Sequence, residues 1–279
     1  MAQLRINEYQ VQGPLLALGQ IWAVTRAELL MQWRRWGFWL AFGIATVLLL
    51  LLLGSSFAVA KQVFLADTVQ GTVNSLIHLQ LQLESWILAI IAGLLTSDRL
   101  SRDITLGLTD ALWSTPLSST SYVTGKFVGN LGSVLAPAFL SIMIGGTVFV
   151  LLGAPIALLS YLAVAFILVF VPTFALVVSF TLFFSSIVPL RLVQIGFPLI
   201  WMYCVLSPLG WKTIANTIFA ADGRYVIGAF FFLNKYNNHP IYNSAEAWMN
   251  IIALLITALA CLFLLGISIS FQAKRRAAA

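Results

Sequence analysis

Few residues in this chain have the chemistry that catalysis needs, and they lie far apart in sequence. The chain has two histidines, His78 and His239, and one acidic residue inside a long apolar run, Glu84. A membrane-embedded protease or transferase needs paired acids, or a nucleophile beside its base. His239 has no second histidine, cysteine or acidic cluster near it in sequence, which argues against a metal site. The side chains therefore favour a function other than catalysis, and a membrane-embedded enzyme is kept as an alternative.

The sequence also lacks a phosphate-binding loop. That motif, GxxxxGK followed by Ser or Thr, holds nucleotide phosphates with its backbone amides and lysine, and its hydroxyl binds Mg²⁺. Gly125-Lys126 has neither the preceding glycine nor the following hydroxyl. We therefore expect that this chain neither hydrolyses ATP nor binds a cofactor of its own.

The composition is that of a membrane protein. Of the 279 residues, 61% are hydrophobic and 9% are charged, whereas about 25% of residues are charged in soluble domains. The mean hydropathy of +0.97 does not fit a disordered chain or a basic nucleic-acid-binding module. Both cysteines, Cys204 and Cys261, lie in apolar runs and are expected to be buried hydrophobes. We predict an integral membrane protein that does not bind nucleic acid.

Six apolar runs predict six transmembrane helices. The runs are too long and too uniformly apolar for the alternating strands of a membrane barrel. The predicted fold is therefore an all-α bundle that the whole chain, 1–279, forms as a single domain. The six runs are 37–59, 76–96, 127–152, 156–185, 192–209 and 247–270.

Small residues and prolines in or beside these runs predict where helices pack closely or bend. Gly125 with Gly129, and Ser141 with Gly145, have the four-residue spacing that allows close approach of helices. Glycine is common in membrane helices in any case, which is the simpler explanation. The prolines at 172 and 198 are expected to kink the fourth and fifth helices, and we favour packing over gating as their role.

The basic residues predict the orientation of the helices. An even number of spans places both termini on one side. Eleven of the 15 basic residues belong to that side and four to the other. Because basic residues are enriched in cytoplasmic loops, both termini are expected in the cytoplasm. The eleven are Arg5, Arg26, Arg34, Arg35, Arg99, Arg102, Lys126, Arg191, Lys274, Arg275 and Arg276, and the four are Lys61, Lys212, Arg224 and Lys235.

Residues 15–36 predict an amphipathic helix that lies in the membrane interface. Tryptophan anchors such a helix at headgroup depth, and arginine faces anionic lipid. A passive anchor and a mechanical role are both open. The apolar face comprises Leu15, Leu18, Trp22, Leu29, Trp33 and Trp36, and the polar face comprises Gln20, Glu28, Arg34 and Arg35.

The longest cytoplasmic connection, 97–126, predicts a second short amphipathic helix. Its apolar residues recur every four positions, with charged residues around them. Pro116 is expected to end the helix. The apolar positions are Leu100, Ile104, Leu108 and Leu112, and the charged ones are Asp98, Arg99, Arg102, Asp103 and Asp110.

This connection resembles the cytoplasmic loop of type-2 ATP-binding-cassette (ABC) exporter permeases. In that family an acidic residue precedes a glycine by four, a Ser-Thr-Pro-Leu run follows, and Gly-Lys opens the next helix. The chain departs from the family at Asp103, where glutamate is usual, at Leu108, a frequent threonine, and at Trp113, a usual leucine. The overall plan is also similar, from the amphipathic N-terminal helix to the long outer loop. The matching residues are Asp103, Gly107, Ser114, Thr115, Pro116, Leu117, Gly125 and Lys126.

The resemblance implies that 97–126 is a coupling loop whose helix docks on a separate cytoplasmic ATPase. Leu108 and Leu112 are the candidate apolar anchors, with Arg102 or Asp103 as a polar rim and Asp110 beside them. It also implies two permeases, identical or homologous, that face each other across a pathway. Two ATPase subunits would bind ATP and Mg²⁺. The expected location is the cell membrane, as a multi-pass protein of a bacterial inner membrane surrounded by lipid.

The outer loop, 210–246, is too long for a turn and contains an apolar patch at 225–233 that is too short to span. We expect a re-entrant or surface helix there, and in the resembling family this region caps the pathway. A secondary transporter is a further alternative, but no inverted repeat is visible in the sequence.

Gln80 and Glu84 lie in the second run, one helical turn apart on the same face. Polar groups at that depth are unfavourable without partners or water. Either this half of the helix lines a pathway or dimer seam, or it protrudes above the bilayer.

Overall fold

The computed structural model describes residues 14–64, 69–105, 117–205, 217–231 and 242–277. Every regular element in these ranges is helical, which confirms the predicted all-α fold. Phe166–Phe170 is π-helical and joins α5 to α6, and Arg224–Val226 continues as a second π-helical segment, Ile227–Phe231. The longer helices are α1 (Pro14–Trp33), α2 (Trp36–Phe64), α3 (Val69–Thr105), α4 (Ser119–Leu151), α5 (Ala157–Ala165), α6 (Val171–Ile187), α7 (Leu190–Val205) and α8 (Ser244–Ala277).

Five helical segments are long and apolar enough to cross a membrane, which is compatible with a multi-pass membrane protein. They overlap five of the six predicted runs, but the second span continues past residue 96 to Asp103, so that the first residues of the predicted coupling loop 97–126 belong to α3. The remaining run, 192–209, is the fifth in chain order and falls on α7, whose apolar part Leu190–Cys204 is shorter. Residues 206–216 lie outside the described residues. The count of six spans therefore stays a prediction. The five segments are Trp36–Gly54, Gln80–Asp103, Ser119–Leu151, Ala157–Ile187 and Ser244–Phe271.

Helices α3 and α4 run antiparallel. Near the end of α3, Asp103 accepts a hydrogen bond from Tyr122, which lies at the start of α4. Closer to the other end of α3, Gln80 donates a hydrogen bond to the carbonyl of Ile142, which lies far along α4. We call the end of the bundle that contains Asp103 the charged end, and the end that contains Asp222 the opposite end.

Backbone carbonyls of 217–223 fasten this segment to three helices at the opposite end. Ser85 of α3 donates to the Asp222 carbonyl over 3.1 Å, and Thr173 of α6 donates to the Ala221 carbonyl over 2.8 Å. Asn250 of α8 donates to the Ala220 carbonyl over 2.9 Å. These bonds satisfy carbonyls that a loop would otherwise leave unpaired inside the protein.

The predicted outer loop contains a short helical segment, as expected from its apolar patch. Val226 and Ile227 are buried, so the segment packs on the bundle. Beside it, Arg224 pairs with Asp222 at 2.7 Å. Burial lowers the pKa of Arg224, but the hydrogen bond and charge of Asp222 outweigh it, and the net shift is upward. The depth of this segment in a membrane stays a prediction.

The π-helical segment before α6 accounts for the irregularity that the sequence predicts at Pro172. Proline lacks a backbone donor, and its ring clashes with the carbonyl four residues earlier. The wider π turn at Phe166–Phe170 accommodates that clash in the preceding residues. Phe170, at the end of the π-helical segment, and Phe174, on α6, are fully buried in the core.

Candidate functional site

A buried lysine joins three helices at the charged end. The Nζ atom of Lys126, on α4, lies 2.6 Å from Oε1 of Glu28 on α1 and 2.5 Å from Oδ2 of Asp103 on α3. The lysine is 1% exposed. A buried ammonium is tolerated only when opposite charges and hydrogen bonds replace its water. The two carboxylates therefore hold α1 and α3 to the start of α4.

Neutral side chains donate further hydrogen bonds to both carboxylates. The Tyr122 hydroxyl donates to Oδ2 of Asp103 over 2.7 Å, and the Asn130 amide donates to Oε2 of Glu28 over 3.3 Å. Gln32 in turn donates to Oδ1 of Asn130 over 3.0 Å. We call Glu28, Asp103, Tyr122, Lys126 and Asn130 the lysine cluster.

Two glycines of α4 let α1 approach closely enough to form this cluster. A Cβ atom at Gly125 would lie 2.7 Å from Cβ of Val24, and one at Gly129 would lie 2.6 Å from Cβ of Glu28. Both distances are shorter than van der Waals contact. Gly125 and Gly129 therefore do allow a close helix approach, with α1 as the partner, although the simpler explanation of their spacing was favoured from the sequence.

Helix α1 presents its polar face to the protein. Thr25, Glu28 and Gln32 are buried against α4, whereas Trp22 is 64% exposed and Trp33 is 42% exposed. The helix ends at Trp33, three residues before the predicted boundary. This arrangement fits an interfacial helix that turns its apolar side to lipid. It also gives the polar face a role in packing that the sequence alone did not indicate.

A second group of charges lies beside the lysine cluster. Arg35 pairs with Asp98 at 3.2 Å, and Nε of Arg99 lies 3.6 Å from the same carboxylate. The Arg99 side chain is 4% exposed. Together with Lys126, these two arginines balance the three carboxylates of Glu28, Asp98 and Asp103, so the six charges sum to zero.

The predicted coupling residues fall into two groups. Arg102 is exposed, whereas the Asp103 side chain is 13% exposed and bound to Lys126 and Tyr122. The buried cation draws the Asp103 carboxylate inward, and Arg102 or Asp103 as the polar rim of an ATPase contact stays a prediction. The other three predicted contacts lie outside the described residues, and their part in an ATPase contact stays a prediction. They are Leu108, Asp110 and Leu112.

The second predicted site, Gln80 and Glu84, lies within the bundle of this chain. Both side chains are buried, and the Gln80 amide donates to the Ile142 carbonyl of α4 over 2.9 Å and to Oε1 of Glu84 over 3.1 Å. Neither residue is positioned to face lipid. Their place at a pathway or dimer seam stays a prediction.

An apolar cavity of 460 Å³ lies between α6, α7 and α8 near the opposite end. Its walls include Phe180, Phe197 and Trp201. Among the described residues, no three histidine, cysteine or acidic side chains are grouped to hold a metal ion.

Sequence reasoning missed the two residues that organise the charged end. The sequence places Glu28 on the polar face of α1 and Lys126 at the start of a membrane helix, and nothing local pairs the two. The available signal was a lysine at the edge of an apolar run, since such a residue needs an acidic partner if it is buried.

No model of a known protein family matches the chain, and no curated protein matches it.

Proposed function

We propose that the chain is the permease subunit of an ATP-driven exporter that resembles type-2 ABC exporters. The observation that supports this most directly is Lys126, buried between carboxylates from α1 and α3. Residues 106–116, the centre of the predicted coupling loop, connect α3 to α4, and the lysine cluster holds together the two helix ends that flank them. A force applied to the loop would therefore reach α1, α3 and α4 together.

The proposed mechanism is a change in the relative stability of two bundle conformations. Closure of the ATPase pair on ATP would move the coupling loop, and the lysine cluster would carry that movement into the bundle. The partner ATPase, in two copies, supplies the ATP and Mg²⁺ chemistry. A second permease, identical or homologous, completes the pathway.

The proposed orientation places the charged end in the cytoplasm, together with both termini. The support is the excess of basic residues assigned to that side. An ATPase in the cytoplasm could then reach the loop between α3 and α4.

The test is to purify the chain from its own cells in mild detergent and identify the proteins bound to it. We expect an ABC ATPase, and we expect its ATP hydrolysis to rise when the permease is reconstituted with it. A Lys126→Met variant that still binds the ATPase should lose this stimulation. Transport driven by an ion gradient without any ATPase would instead establish a secondary transporter. A product formed by the chain alone would establish a membrane-embedded enzyme.

A further inference from the structure

The carboxyl group of Glu84 is buried between α3 and α4 with little support for a negative charge. Glu84 as a whole is 1% exposed. One oxygen, Oε1, accepts a hydrogen bond from the neutral amide of Gln80 over 3.1 Å. The other oxygen, Oε2, is buried and has no hydrogen-bond partner among the described residues.

The Gln80 amide cannot donate a second hydrogen bond to this carboxyl group. The Gln80 nitrogen donates both to Glu84 and to the Ile142 carbonyl, so its two hydrogens are used. Gly145 of α4 makes room for this arrangement. A Cβ atom there would lie 2.5 Å from the Gln80 nitrogen and 3.3 Å from Oε1 of Glu84.

Three states of the carboxyl can be compared. An ionised carboxylate in apolar surroundings with one neutral donor is strongly unfavourable. A metal ion needs several oxygen ligands, and the Gln80 and Glu84 side chains offer two unpaired buried oxygens, Oε1 of Gln80 and Oε2 of Glu84. A bound proton removes the charge without further ligands.

We infer that Glu84 is a proton-binding site inside the bundle, and that its proton stabilises the packing of α3 against α4 at Gly145. Release of the proton leaves a buried carboxylate between α3 and α4 with one neutral hydrogen-bond donor, which favours separation of the two helices or the entry of water. This inference goes beyond the proposed function and does not depend on it.

Other ionisable groups are few on the elements that pack against this part of α3. Helix α4 has none between Val134 and Leu151, and the apolar span of α2, Trp36–Gly54, has none either. The remaining groups to consider in a titration are His78 on α3, Lys61 on α2, the pair of Asp222 and Arg224 with Tyr225 beside it, Tyr161 on α5, and Tyr203 and Cys204 on α7.

Among the described acids, Glu84 is the one to which the signal of a buried protonated carboxyl can be assigned. Six of the nine acidic residues lie in described segments. Four of these pair with lysine or arginine, and Glu246 is exposed, which leaves Glu84. The four paired acids are Glu28, Asp98, Asp103 and Asp222.

The experiment is infrared spectroscopy of the full chain in lipid nanodiscs at neutral pH. We expect a carbonyl stretch from a protonated carboxyl that disappears in Glu84→Gln and is retained in the matched control Glu246→Gln. A wild-type spectrum without this band, or a band that survives Glu84→Gln, would overturn the inference. Loss of the band on adding Na⁺ would also overturn it, because a metal ion would then be displacing the proton.

A second variant keeps the test valid if Glu84→Gln does not fold. Gln80→Leu removes the hydrogen bond to Oε1 and leaves the carboxyl in place, so the band should persist at a shifted frequency. An unshifted band would show that it belongs to another acid. Thermal unfolding gives an independent measurement, since wild-type stability should fall as pH rises and ionises Glu84. The stability of Glu84→Gln should not follow that change, and a parallel fall in both proteins would contradict the inference.

Discussion

Lys126 is shared by two carboxylates that belong to helices far apart in the chain. Glu28 precedes it by 98 residues and Asp103 by 23. Such a shared ion makes the two pairs depend on each other, because removal of the ammonium leaves both carboxylates buried beside one another. Asp103→Lys would have a similar effect by placing two ammonium groups together. The Asp103→Lys variant therefore tests the stability of the fold as well as the proposed coupling to an ATPase.

We expect Lys126→Met to destabilise the protein by about 3–5 kcal/mol, the range seen when one partner of a buried pair is removed. Unfolding of the purified protein in mixed detergent micelles measures this change. Arg191→Met is the matched control, since Arg191 is also basic but exposed, and it should change the free energy of unfolding little. Equal effects of the two substitutions would show that the lysine cluster contributes nothing special.

The Tyr122 hydroxyl should contribute a smaller, separable amount. Tyr122→Phe removes one hydrogen bond to a charged acceptor, which is worth about 1.5–3 kcal/mol. A double-mutant cycle with Asp103→Asn measures the coupling between the two side chains. Tyr161→Phe, at an exposed position on α5, serves as the control. A cycle with zero coupling energy would contradict the hydrogen bond at 2.7 Å.

At the scale of helices, the contact between α1 and α4 depends on glycine at position 129. Gly129→Ala places a Cβ atom 2.9 Å from the Thr25 carbonyl oxygen, and backbone cannot move aside as a flexible side chain can. We expect a loss of about 1–3 kcal/mol, as for other overpacked sites. We also expect a change in the fluorescence of Trp22 and Trp33 as α1 shifts.

A matched control for this substitution lies on the same helix. Gly132→Ala would place its Cβ atom 3.5 Å from Cδ2 of Leu29, an ordinary contact. Alanine is also the better helix former, so this variant should retain full stability. If Gly132→Ala is as harmful as Gly129→Ala, the close approach of α1 is not what limits stability.

The helices themselves were predictable from sequence, whereas their polar contacts were not. Long apolar runs determine helices in lipid because every backbone group must be paired within the segment, and five runs were recovered on that ground. The partners of Glu28 and Gln32 lie about 100 residues away along α4, and nothing local in α1 identifies them. The charge on Lys126 indicates a need for an acidic partner, but the acid nearest to it in sequence is Asp110, and nothing in the sequence selects Asp103 or Glu28.

For the whole molecule, the arrangement of helices leads to a prediction about the two sides of the membrane. Arg102 lies near the end of α3 at the charged end, and Phe219 lies in the segment bound to α8 at the opposite end. Arg191 lies at the start of α7, and this start follows the end of α6 at the charged end. If α7 also crosses the membrane, which would make six spans in total, Arg191 and Phe219 must lie on opposite sides.

Single cysteines at these three exposed positions can decide both the orientation and the number of spans. In a background with Cys204 and Cys261 replaced by alanine, we expect a membrane-impermeant maleimide to label position 219 in intact cells. Positions 102 and 191 should react only after permeabilisation, because the positive-inside rule places them in the cytoplasm. Labelling of 191 and 219 from the same side would show that α7 does not cross and that five spans separate the termini. Labelling of 102 and 191 from outside, with 219 protected, would reverse the orientation and exclude a cytoplasmic ATPase at the loop between α3 and α4.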